Sequence, residues 1–288
     1  MASPAVQEVA VRQILVQTTS GAMVESRTDR LAVEEPLEIR LAYGPVESRR
    51  QQSISITMRT PGEDDELAAG FLLTEGIIRG RDDIEAIRPC GPPIGEQNLH
   101  NVVRVELRPE IAVDLKRLER HFYTTSSCGV CGKTSLEALE TGNPPNLSEH
   151  LPYISAEVVH GLPCKLRAAQ AVFEQTGGLH AAGLFDADGN LLAVREDVGR
   201  HNAVDKLIGS QLLAGKLPLL DKGIFVSGRA SFELLQKSLM AGIPLLVAVG
   251  APSTLAVQLA QRFKMTLVGF AREGRFNTYS GAWRIGAT

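Results

Sequence analysis

Two cysteines three positions apart, Cys128 and Cys131, stand in FYTTSSCGVCGKTSLEALE, and each is followed by a glycine. Residues 134–140 have helical spacing, and Thr134 with Glu137 makes a capping box. The sulfurs therefore sit on a small-residue loop that feeds a helix N-terminus. The helix dipole and the neighbouring Lys133 both favour the thiolate, the form that attacks sulfur or binds a metal. The lack of bulk leaves room for a partner protein and a large acceptor to reach one sulfur in turn. Three chemistries fit this spacing: a structural zinc site, a redox pair and a transient sulfur carrier. Zinc asks for a second CxxC or a Cys/His pair, and Cys90 and Cys164 are isolated singles, so His121 would have to complete an unusual ligand set. A thioredoxin-like pair asks for a βαβ unit around it, which is absent upstream. On spacing alone, metal or redox chemistry outranks sulfur transfer. Cys90, in RPCGPP, is expected in a turn and Cys164, in GLPCKL, near a helix start. Both read as buried or incidental thiols.

Two glycine-bearing turns further along have the character of anion sites. VSGRAS (226–231) combines Gly228 with Arg229 and Ser231, and VGAPST (249–254) combines Gly250 with Pro252, Ser253 and Thr254. Each reads as a strand-to-helix turn, where free backbone N–H groups and the helix dipole favour a phosphate. Either loop alone is equally well a tight turn. Their place on successive strands, with Arg272 and Arg275 of FAREGR beyond, favours an anionic ligand, because arginine grips phosphate with two parallel donors; the two arginines are equally well ordinary surface charges. In REDVGRHNAVDKL, Glu196, Asp197, Arg200, His201 and Asp205 gather at a helix start. Acids are favourable there through the dipole alone, and Asp197 fits an N-cap. The functional alternative sets Arg200 and His201 at the rim of a ligand cleft.

The elements that must position these groups fall into two styles. In the first half, QQSISITMRT and NVVRVELRP alternate as half-buried strands, the latter with Val103, Val105 and Leu107 on one side. Between them PGEDDELAAGFLLTEGII reads as a helix with acids in its first turn and Leu67, Phe71 and Leu72 on one face; Glu75 and Gly76 end it or line an interface. ETGNPPNLSEHLP is the best linker, dividing the chain into 1–145 and 146–288. Beyond it HAAGLFD and LLAVRED flank ADGN, a hairpin turn signal. Short apolar strands (GIFVSG, IPLLVAVG, MTLVGFA) then alternate with helices (RHNAVDKLIGSQLLAG, ASFELLQKSLMAG, STLAVQLAQRF), which predicts a parallel sheet covered on both faces.

Bulk properties exclude several classes. The chain has 288 residues, 44% hydrophobic and 22% charged, an ordinary globular composition. A formal charge of −3 gives no nucleic-acid surface, so an anionic ligand must be held by local features. The first twenty residues lack the pattern of a signal peptide, and the longest apolar run, GIPLLVAVGAP, is too short to span a membrane. Four cysteines make no disulfide scaffold. A reduced, cytoplasmic protein is expected. The second half also suits a cytidine-deaminase-like sheet, but that chemistry needs H-x-E followed by P-C-x-x-C. At His180 the glutamate position is Ala182 and no cysteine pair follows, so deaminase activity is disfavoured.

ELAAGFLLTEGII (66–78), FYTTSSCGVCGK (122–133), REDVGRHNAVDKLIG (195–209) and SGRASFELLQKSLMAGIPLLVAVGAPSTLAV (227–257) together resemble the formate dehydrogenase accessory sulfurtransferase family (FdhD/NarQ) over nearly the whole chain. The resemblance implies an α/β protein of two subdomains: a mixed α+β N-terminal part ending in the CxxC loop and its helix, and a C-terminal, three-layer, cytidine-deaminase-like sheet with helices on both faces. It implies a persulfide-carrying sulfurtransferase, with Cys128 as carrier and Cys131 as auxiliary. Sulfur would come from a cysteine desulfurase and pass to the bis-molybdopterin guanine dinucleotide cofactor before insertion into formate dehydrogenase. A cofactor-binding stretch maps onto Phe270, Ala271, Arg272, Glu273, Gly274 and Arg275, to which the turns add Gly228, Arg229, Ser231, Gly250 and Ser253. A homodimer, no permanently bound metal and no nucleic-acid or membrane partner are expected. The alternative is a non-catalytic cofactor chaperone whose CxxC is structural.

Overall fold

A computed structural model of the chain describes residues 9–94, 99–113, 139 and 144–286. Strands β1 (Val11–Ser20) and β2 (Met23–Ala32) form an antiparallel ribbon that turns at Gly21, whose φ of 62° suits glycine. Then come β3 (Glu35–Tyr43), β4 (Arg50–Arg59), helix α1 (Asp64–Thr74), β5 (Ile84–Cys90) and β6 (Val102–Leu107). The four strands make a mixed sheet in the order β4-β3-β6-β5, with β3 parallel to β6 and the other pairs antiparallel. Its register sets Ile39 beside Val103 and Leu41 beside Val105. Because side chains alternate across a strand, these residues with Leu37, Ile54 and Leu107 share one buried face. That face and Leu67, Leu72 and Leu73 of α1 belong to one apolar core.

The second part runs β7 (Ile154–Ser155), α2 (Ala156–Ala169), α3 (Ala171–Thr176), β8 (His180–Phe185), β9 (Leu191–Asp197), α4 (Arg200–Leu213), β10 (Gly223–Val226), α5 (Phe232–Met240), β11 (Leu245–Ala248), α6 (Thr254–Arg262), β12 (Thr266–Arg272), β13 (Arg275–Ser280) and β14 (Ile285–Gly286). Its main sheet has the order β13-β12-β11-β10-β8-β9. The expected parallel strands are present as β10, β11 and β12, but β8 and β13 flank them antiparallel, so the sheet is mixed. Ile224, Val226, Leu246 and Ala248 face the core formed with α4, α5 and α6. Phe225, Leu245 and Val247 point the other way, onto Val159, Leu162 and Leu166 of α2.

The two sheets meet where α1 crosses α4, and glycine makes that crossing. A Cβ at Gly70 would lie 1.9 Å from the Asp205 carbonyl oxygen, and one at Gly209 would lie 1.8 Å from that of Glu66. Ion pairs surround the contact. Lys237 binds Asp205 at 2.8 Å and Glu75 at 3.2 Å; Lys206 binds Asp197 at 2.8 Å; Arg195 reaches Glu63 at 3.3 Å and also holds Glu66. Burial pushes the Asp205 carboxyl up to about 6, against the opposing pull of Lys237. Leu139 joins the same core.

Two local expectations need correction. Cys90 is the last residue of β5, where it pairs with Val102, rather than part of a turn. Cys164 lies in the second half of α2, beyond Pro163, and is exposed rather than buried. The stretch 148–151 is held by Arg284, whose guanidinium is wholly buried and donates to the carbonyls of Ser148, Leu151 (3.1 Å) and Lys264 (2.8 Å).

Candidate functional site

Cys128 and Cys131, with the helical reading of residues 134–140, lie outside the described residues apart from Leu139. His121 and Lys133 lie outside them too; the anticipated groups of the second part are all described, and most of them converge.

Strands β10 and β11 end side by side, and β12 runs parallel beyond them, so the turns after β10 and β11 share one edge of the sheet. Phe270 N–H donates to the Gly250 carbonyl (3.1 Å), and Gly250 N–H donates to the Gly228 carbonyl (2.9 Å). One backbone chain thus strings together both glycine turns and the start of FAREGR. The turns are tied again through Ala230 N–H to the Ala251 carbonyl (3.1 Å) and Ser253 N–H to the Ala230 carbonyl (3.0 Å). The two glycines differ in kind. A Cβ at Gly250 would lie 2.9 Å from Arg229 Cα, so this glycine is required by packing. A Cβ at Gly228 would meet the His180 ring at 3.5 Å, which is ordinary contact. Gly228 leaves open space that packing does not demand.

The serines also separate. Ser253 is the N-cap of α6, its hydroxyl oxygen accepting from Ala256 N–H at 3.2 Å. Ser231 is the N-cap of α5, but its hydroxyl bonds no backbone N–H of the helix and lies 3.4 Å from His201 Nε2.

Phe270 adopts a φ of 53°, a left-handed conformation that costs a non-glycine residue about 1 kcal/mol or more. Ala271 is buried, while Phe270, Arg272, Glu273, Gly274 and Arg275 are exposed. The Arg272 guanidinium donates through Nη1 to Val249 (2.8 Å) and Ala271 (3.0 Å), which fixes it along the turn after β11. Arg275 is its cross-strand neighbour. Like charges placed opposite each other repel, and among the described residues neither arginine has an acidic partner. An anion between them would relieve that repulsion.

REDVGRHNAVDKL resolves into two kinds of residue. Asp197 does not cap α4; Gly199 holds that position. The Asp197 carboxylate is fully buried and accepts from Thr60 N–H (3.1 Å), Gly199 N–H (2.8 Å) and Asn202 Nδ2 (3.0 Å) while pairing with Lys206. Glu196 accepts from the Val172 and Phe173 N–H groups, and burial raises its carboxyl. These acids brace the fold. Arg200 and His201 instead reach the sheet edge: Arg200 Cδ lies 3.8 Å from the position of a Cβ on Gly228, and His201 faces Ser231 and Glu233. Burial, then Lys237 and Arg200, hold the His201 imidazole down at about 4, so it is neutral at pH 7. His180 is lowered by burial and by Arg200.

A mixed sheet that presents glycine turns and arginines without acidic partners along one edge offers donors suited to an anion, and comparison with known proteins shows the family. The model of the FdhD/NarQ family matches residues 32–286, and the chain belongs to that family. The sulfur carrier protein FdhD of Streptomyces avermitilis is 50% identical over 279 residues, covering 96% of each chain. Its counterpart in Mycolicibacterium paratuberculosis is 51% identical over 286 residues, covering 97% of this chain and 100% of that one. A crystal structure from Desulfotalea psychrophila, described provisionally as a formate dehydrogenase accessory protein, superposes with a TM-score of 0.72. It covers 96% of this chain and 100% of its own, and at 23% identity it supports the fold alone. No helix among the described residues is long and apolar enough to cross a membrane.

Proposed function

We propose that this chain is a sulfurtransferase that loads sulfur onto the bis-molybdopterin guanine dinucleotide cofactor before insertion into formate dehydrogenase. Relatives about half identical over nearly their whole length bear the name of sulfur carriers. In this reading the Cys128 thiolate attacks the outer sulfur of a cysteine desulfurase persulfide. A new S–S bond forms on Cys128 as the donor cysteine leaves as a thiolate. Cys131 protects or resolves the product. The segment 1–145 carries the sulfur, and 146–288, a cytidine-deaminase-like unit, grips the cofactor in a cytoplasmic homodimer.

The observation that carries the cofactor half is the hydrogen-bonded chain Phe270–Gly250–Gly228, which sets Arg272, Arg275 and Arg229 along one sheet edge. A ligand with two pyrophosphates and two guanines needs such a line of donors, and Phe270 offers an exposed aromatic face for a base. The test is intact-mass analysis of the full chain after incubation with a cysteine desulfurase and cysteine. A gain of one sulfur, localised to the peptide containing residues 128–131 and absent in Cys128→Ala, is expected. Cys128→Ala should keep guanosine diphosphate binding yet fail to activate formate dehydrogenase. Normal activation by that variant would leave a cofactor chaperone with a structural CxxC.

A further inference from the structure

Arg200 is the residue of this edge that packing leaves unexplained. Its Nε is shielded from solvent and has no hydrogen-bond partner among the described residues. Leaving a buried donor unpaired costs about 1–3 kcal/mol, more when the group is charged. The neighbourhood offers no relief. Arg200 Cδ lies 3.8 Å from the position of a Cβ on Gly228, where one would fit but none is present, and the His180 ring lies 3.5 Å from the same point. His180 opens β8 and its backbone pairs across to Asp197, but the Asp197 carboxylate is taken by Lys206. Arg229, the next residue after Gly228, has no ion pair or hydrogen bond among the described residues either. Glu233 lies 3.9 Å from His201, and its carboxyl feels the Arg200 charge without bonding it. Two arginines and an imidazole thus surround an open glycine backbone.

We propose that Arg200 and His180, both beside Gly228, form a phosphate subsite that takes one pyrophosphate of the nucleotide-bearing ligand. It rests on the cofactor reading above and adds residues outside the FAREGR stretch. Arg200 would meet the phosphate with its orphaned Nε–H and a neighbouring guanidinium N–H, the two-donor geometry that arginine gives phosphate. His180 would contribute one ring N–H, and the absent Cβ at 228 lets the phosphate approach the backbone.

The test is calorimetric titration of the full-length protein with guanosine diphosphate, pyrophosphate and guanosine. Wild-type protein should bind the first two, and Arg200→Met should weaken both at least tenfold while leaving any guanosine binding unchanged. An NMR titration of the wild type should show the His180 imidazole becoming more basic when pyrophosphate is added, because an anion replaces the Arg200 charge as its dominant neighbour. If Arg200→Met does not fold, Arg200→Lys and the His180 titration decide the matter. Undiminished binding of guanosine diphosphate and pyrophosphate by the variants overturns the subsite and leaves the cofactor reading intact. Arg200-dependent pyrophosphate binding with no gain from the guanosine moiety upholds the subsite and removes the guanine-cofactor reading. Failure of the wild type to bind either anion overturns the subsite.

Discussion

Replacing Gly70 by alanine tests the helix crossing that joins the two sheets. The added Cβ would sit 1.9 Å from the Asp205 carbonyl oxygen, about 1.5 Å short of ordinary contact. Its other neighbours, the Asp205 carbonyl carbon and Gly209 N, are backbone atoms as well, so no rotamer change relieves the clash. Overpacking a core costs about 1–3 kcal/mol, and a clash onto backbone belongs at the upper end. Alanine returns about 1 kcal/mol through its helix propensity. The net expectation is destabilisation by about 2 kcal/mol. Gly161 supplies the control, since it lies inside α2 and its Cβ would meet nothing nearer than Lys165 Cε at 3.9 Å. Gly161→Ala should therefore stabilise by about 0.5–1 kcal/mol. Urea denaturation midpoints of the full chain measure both. The double variant Gly70→Ala, Gly209→Ala should cost much less than the sum of the single changes, because one outward shift of the helices makes room for both methyl groups. Midpoints that move in the same direction for Gly70→Ala and Gly161→Ala, or additive single costs at the crossing, would refute the reasoning.

Lys206→Met strands the fully buried Asp197 carboxylate and the Thr60 carbonyl; with three donors still on the carboxylate, a loss of about 3 kcal/mol is expected in chemical denaturation. His201 has a folded-state pKa near 4, below its ordinary 6.5, so the native state binds fewer protons than the unfolded chain. Its contribution is complete above pH 6.5 and is lost as pH falls through about 4. With 38% of the side chain in water, screening leaves on the order of 1 kcal/mol, and His201→Gln should flatten melting temperature against pH in that window. Gly250→Ala should cost about 2 kcal/mol because its Cβ overlaps the Arg229 backbone, whereas Gly228→Ala should leave stability within about 0.5 kcal/mol and weaken guanosine diphosphate binding; equal melting temperatures for the two would contradict this assignment.

What the sequence disclosed depended on whether burial left a period in it. The strand at Val103, Val105 and Leu107 was legible because it buries one face, while α1, which buries Leu67, Ala68, Ala69, Gly70, Leu72 and Leu73 around its circumference, was marked by the acids of its first turn. The β1–β2 ribbon was not, because both its faces are wet: Leu15, Met23 and Val24 are exposed beside arginines and glutamates, so no alternation marks it. Helix α2 was expected only to start near Cys164, whereas it begins at Ala156 and runs through Gly161 and Pro163, with Val159, Leu162 and Leu166 burying one helical face. The glycine turns and the FAREGR arginines were visible, but their hydrogen-bonded union is a tertiary fact. The same holds for Asp197. A cap and a buried ion-pair partner look alike in sequence, and the Thr60 and Lys206 contacts distinguish them.

The buried ion pairs and the proposed binding edge are connected through charge. A chain of formal charge −3 offers no global field to attract an anion, so any positive potential has to be arranged locally. Acids around the α1–α4 contact are held by cations, Asp197 by Lys206, Asp205 and Glu75 by Lys237, Glu63 and Glu66 by Arg195, whereas Glu233 lies beside His201 and Glu273 is exposed within FAREGR. Each pairing offsets one carboxylate of the acidic α1–α4 contact and so reduces the negative field that reaches the turns. The lysines are buried, so salt screens their pairs weakly, while the exposed arginines stay open to competition from solution ions. By this account the α1–α4 contact does more than join two sheets. It offsets negative charge within the same fold, and Lys206→Met, which meets no ligand, should lower pyrophosphate affinity in calorimetric titration if that field reaches the turns.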